Sequence, residues 1–201
     1  MALAVILLLT PLAETEAFAG ALQQLDWQEL ERAWDKYHSR PTADNAEQLY
    51  SRLPVSPPKH GGYGHPELME KFYSALDWLQ PRILGGDRWA TRIAFRLCAV
   101  ADAAFSEDLE AMLASMIRRQ PLLFLEELRR NRKSVGDITT VVLNLNADEF
   151  LEAPSEIKKA ELQARLDALG SVSPSKLELM NLRDECRSLL GEEITHGFGE
   201  E

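Results

Sequence analysis

Residues 87–105 read DRWATRIAFRLCAVADAAF, and this stretch decides the fold. Its apolar side chains recur at intervals of three and four: Trp89, Ile93, Leu97, Val100 and Ala104 make one stripe, with Ala94, Cys98, Ala101 and Phe105 beside it. That period belongs to a helix rather than a strand. Two adjoining stripes are too wide for a helix with one solvent face, so the spacing predicts a long, heavily buried helix with other helices packed around it. Arg88, Arg92 and Arg96 lie every fourth residue along the same segment and form a cationic ridge.

Helical signals continue on both sides. Upstream, Asp26 precedes Trp27, Leu30, Trp34 and Tyr37 at helical spacing, and Glu29 stands where a capping box places it. A second helix begins near Thr42 and ends at Pro54, with Ala46, Leu49, Tyr50 and Leu53 on its apolar side. A helix is also expected from His65 or Pro66 through Leu68, Phe72, Leu76 and Leu79, stopping before Pro81. Downstream, Ser106 is read as the cap of a helix burying Leu109, Met112, Leu113, Met116 and Ile117, and Pro121 as the start of one burying Phe124, Leu125 and Leu128. Residues 137–145 fit either a helix or a strand, and helix is preferred because a lone strand would lack a partner. Two more helices follow Pro154 and Ser173-Pro174; the first carries Glu161 and Arg165 on its exposed side, and Gly170 ends it.

The expectation is an all-α fold of about eight or nine short amphipathic helices in stacked antiparallel hairpins, either irregular and helical-repeat-like or an orthogonal bundle. Trp27, Leu30, Trp34 and Ala43 resemble the large and small packing positions of a tetratricopeptide repeat, which implies antiparallel stacking. Glu31 and Glu47 depart from that pattern, and no second copy follows.

The chain has 201 residues, enough for one domain with a real core. A formal charge of −10 opposes a nonspecific grip on nucleic acid or on an anionic membrane. The apolar run over residues 2–13 is too short to span a bilayer, and with Ala17-Phe18-Ala19 it has the layout of an export signal, although no Lys or Arg leads it. The expected organisation is a signal peptide over 1–19, one helical domain over 20–190 and an acidic, frayed tail over 191–201. The chain is then secreted, periplasmic or otherwise in the cell envelope, with a cytoplasmic location as the alternative. Cys98 and Cys186 fit either one disulfide or two buried thiols.

No Gly-x-Ser-x-Gly, Walker loop, dinucleotide glycine pattern, His-Glu-x-x-His or Cys-x-x-Cys occurs, so no catalytic residue, metal ligand or cofactor is expected. Paired acids such as Glu126-Glu127 are read as solvated. Two features stand out as binding candidates: the Gly- and His-rich loop with Lys59, His60, Tyr63 and His65, and the ridge of Arg88, Arg92 and Arg96, suited to an anionic group or an acidic partner. The expected function is a non-catalytic helical interaction or accessory module whose partner is another protein, without nucleic acid and without a stable membrane span. The alternative is a small ligand-binding protein or hydrolase using the loop from His60 to His65.

Overall fold

A computed structural model describes residues 25–57, 65–146 and 148–198. The residues of the expected signal peptide, together with Lys59, His60 and Tyr63, lie outside these. Among the described residues all regular structure is helical: α1 (Trp27–Ser39), α2 (Ala43–Arg52), α3 (Pro66–Tyr73), α4 (Leu76–Leu84), α5 (Arg88–Leu97), α6 (Ala103–Arg119), α7 (Pro121–Val135), α8 (Ile138–Leu143), α9 (Asp148–Leu151), α10 (Ser155–Ser171) and α11 (Leu177–His196). The all-α expectation therefore holds. None of these helices is long and apolar enough to cross a membrane.

The helices outnumber the expected eight or nine because the run from Pro66 divides into α3 and α4 and because α9 is a single turn that the spacing does not predict. The deciding stretch itself is broken. Cys98 to Val100 form a turn, and the Asp102 carboxylate, four residues before Ser106, accepts the Phe105 backbone N–H at 3.0 Å and starts α6. Ser74 and Ala75 separate α3 from α4 without a side-chain cap, their backbone N–H groups donating to the Glu70 and Phe72 carbonyls at the end of α3. Pro81 sits inside α4 rather than after it. It removes one backbone donor, but Pro81 and Asp77, four residues earlier, are both exposed, so the carbonyl left over can turn to water. Residues 138–143 are helix, started by the Asp137 carboxylate on the Thr139 N–H. The last helix runs on through Gly191 to His196, beyond the start expected for a frayed tail.

One core joins all the longer helices. α1 and α2 form the predicted hairpin, with Leu30, Trp34, Tyr37, Ala46 and Leu49 buried, and Trp34 packs edge-on against Phe72 with ring centroids 4.7 Å apart. α5 lies in the middle, touching α2, α4, α6 and α7. α10 and α11 pair with each other and close the far side over α6, α7 and α8. Met112 and Met116 are buried core residues, as their helical spacing predicts. Cys98 and Cys186 are both buried free thiols, and burial pushes each up to about 12, so they stay protonated near neutrality.

Candidate functional site

The charged residues that matter most meet where α5 crosses α7. Glu127 follows Phe124 by three residues and precedes Asn131 by four, which places it on the buried face of α7 with no solvent exposure at all, not in water as its acidic neighbourhood suggests. A bare carboxylate there would be strongly destabilising, and α5 supplies the compensation. Arg92 donates from its two nitrogens to both Glu127 oxygens at 2.9 Å, the planar fork-to-fork arrangement. Arg88 reaches Glu127 at 3.1 Å and Glu126 at 2.6 Å, and Arg130, one turn along α7, lies 3.4 Å from Glu127. The hydrogen bonds that Arg92 donates to Glu127 raise its guanidinium above the ordinary range.

A second layer comes from α2. The Tyr50 hydroxyl donates to Asn131 Oδ1 at 2.8 Å, while Asn131 Nδ2 donates to the Glu127 carbonyl at 2.9 Å. The Tyr50 ring also faces the ridge: the Arg96 guanidinium carbon is 4.3 Å from the ring centroid and that of Arg92 is 5.8 Å away. Arg92 is closer still to the Trp89 ring, at 4.5 Å. The three ridge arginines thus divide. Arg92, with 12% of its side chain exposed, is committed to Glu127, and Arg88 is shared between two carboxylates with half its side chain in solvent. Arg96 makes no ion pair among the described residues, and its buried Nε has no hydrogen-bond partner there.

His65 has a structural task. Its Nδ1 accepts the Leu68 backbone N–H at 3.3 Å and caps α3, and its ring lies 6.1 Å from Trp27 beside an open hollow lined by Leu25, Asp26 and Gln28. The structure does not bring His65 together with the arginine ridge in any contact. Among the described residues no three His, Cys, Asp or Glu side chains converge as a metal site would require.

A second buried ion pair corrects the reading of α10. The spacing of Glu161 and Arg165 predicts an exposed pair, yet they are 8% and 1% exposed. Arg165 donates to Glu161 at 3.0 Å and to the carbonyls of Val142 and Asn144 at 3.1 and 2.8 Å, tying α10 to the end of α8. Arg118 closes on Glu161 from α6 at 3.1 Å. The arginines that follow the buried Leu128 on α7 are also used: Arg129 pairs with Glu178 and Arg132 with Glu185, both on α11.

Sequence reading missed Glu127, Tyr50, Asn131 and Arg130 as members of the cluster. A signal for two of them is present: Glu127 and Asn131 fall on the line of Phe124 and Leu128, so each is a polar residue at a position where the helix period calls for an apolar one. No protein-family model, curated protein or solved structure matches the chain.

Proposed function

We propose that the protein is a non-catalytic helical binding module that receives another protein on the face formed by α2, α5 and α7. One observation carries this reading. In a chain with ten surplus negative charges, the crossing of α5 and α7 gathers four guanidiniums, and two of them, Arg88 and Arg130, keep half of their side chains in solvent. An acidic chain that concentrates partly open arginines on one face offers a place where a partner's negative groups are attracted while the rest of the surface repels them. Export to the cell envelope belongs to the same proposal and is supported by the Ala17-Phe18-Ala19 sequence behind the apolar run.

The test is site-specific photo-crosslinking in the native host. A photoreactive residue replaces Glu47, exposed on α2 beside the cluster, or Asp167, exposed on α10 away from it. The expected result is a discrete adduct from position 47 that is absent from position 167 and is lost when Arg88→Glu and Arg130→Glu are added. Identical adducts from both positions, or none from either, would overturn the reading. The intact mass of the recovered chain tests export separately: a mass beginning at Gly20 agrees with it, and one beginning at Met1 refutes it.

A further inference from the structure

We infer that Arg96, backed by the Tyr50 ring, is the recognition point for a single carboxylate, an Asp or Glu side chain or a chain terminus, presented by the partner protein. This rests on the interaction reading above and names the chemistry of its contact. Arg96 is the ridge arginine whose donors are not spent. Its guanidinium carbon lies 4.3 Å from the Tyr50 centroid, it has no ion-pair partner among the described residues, and its Nε is buried without an acceptor there. The ring covers one face of the guanidinium, Nε is buried, and the two terminal nitrogens, which are not buried without a partner, are the donors that can grip a carboxylate in a forked pair. Trp89, half-buried and 6.3 Å from Tyr50, adds an aromatic surface on which the neighbouring apolar part of a peptide can rest.

The local charge favours a carboxylate over a phosphate. Arg88, Arg92 and Arg130 pair with Glu126 and Glu127, Glu47 acts on Arg92 from α2, and Arg96 adds a fourth positive charge beside Tyr50. Four positive charges against three negative leave one, which a single carboxylate cancels. A dianionic phosphate or a polyanion would overshoot it and meet repulsion from the three carboxylates and from the acidic chain as a whole.

The experiment is arginine side-chain NMR on the full chain, with the Nε–H resonance of Arg96 assigned by its loss in Arg96→Lys. Three probes are titrated: a short leucine-flanked, C-terminally amidated peptide carrying one glutamate, the same amidated peptide with glutamine, and inorganic phosphate. The glutamate peptide is expected to shift the Arg96 resonance at about tenfold lower concentration than the glutamine peptide, the change that one charge-assisted hydrogen-bonded contact gives. Tyr50→Leu, checked for folding by circular dichroism, is expected to weaken the response several-fold. Equal responses to the glutamate and glutamine peptides, or no response to either, would overturn the inference, as would phosphate acting at lower concentration than the glutamate peptide. If crosslinking from position 47 still depends on Arg88 and Arg130 while Arg96 does not respond, the carboxylate inference fails and the interaction reading stands; if both experiments are negative, both fail.

Discussion

Asp137 shows how a short polar side chain decides a local structure that propensity leaves open. Its carboxylate accepts the Thr139 backbone N–H at 2.9 Å, and Thr140 Oγ1 donates back to the Asp137 carbonyl at 2.9 Å, so the β-branched run behind it starts as a helix. The same bond, first among its causes, lowers the Asp137 carboxyl below its ordinary range. For an acid whose folded value is lowered, the stabilisation is present above the unfolded value of about 3.9 and is lost as pH falls through the folded one. NMR titration is therefore expected to place the Asp137 midpoint below that unfolded value, with the Thr139 amide following it; Asp137→Asn is expected to keep the cap and abolish the titration. A midpoint at or above the ordinary value would contradict the capping account. Asp26 is a cap that the sequence makes legible, because a cap acts on neighbours in sequence, whereas the spacing does not single out Asp102 or Asp137. The ion pairs across helices are not legible: Arg92 and Arg88 reach Glu127 from α5, and Arg118 reaches Glu161 from α6, so the burial of Glu127, Glu161 and Arg165 is set by elements far away in sequence.

At the scale of the element, α7 carries the clearest irregularity. Asn131 leaves helical geometry, with φ −110° and ψ 19°, and its side-chain amide takes the carbonyl four residues back that a regular helix offers to backbone N–H. Tyr50 holds the other end of that amide from α2. Asn131→Ala is expected to lower the stability to urea by about 2 kcal/mol and Tyr50→Phe by about 1 kcal/mol, with the double variant close to Asn131→Ala alone, because both remove one network. Full additivity would mean that the two residues act independently. Helix type and apolar faces are readable from spacing in the longer helices, whereas over 137–145 spacing leaves the type open and boundaries are lost wherever a cap or a proline outweighs a continuous period. The division of α5 from α6 at Asp102 and the passage of α4 through Pro81 are such cases, and the uncapped break between α3 and α4 and the run of α11 through Gly191 are others that spacing does not foretell.

At the scale of the whole molecule, buried charge and core packing are arranged together. Two carboxylates, Glu127 and Glu161, are taken out of water and answered by arginines from neighbouring helices, joining α5 to α7 and α6 to α10. Arginines on α7 extend the linkage to α11. Such pairs add little over a well-packed apolar contact, but removing one partner leaves a costly uncompensated charge. The ridge on α5 therefore divides, with Arg92 committed to Glu127 and Arg96 without an ion pair among the described residues. Urea unfolding of Arg92→Met and Arg96→Met measured side by side tests that division most directly. The account predicts a loss of about 3 kcal/mol for Arg92→Met and of less than about 1 kcal/mol for Arg96→Met, which gives up only a cation–π contact. Equal losses, or a larger loss for Arg96→Met, would contradict it.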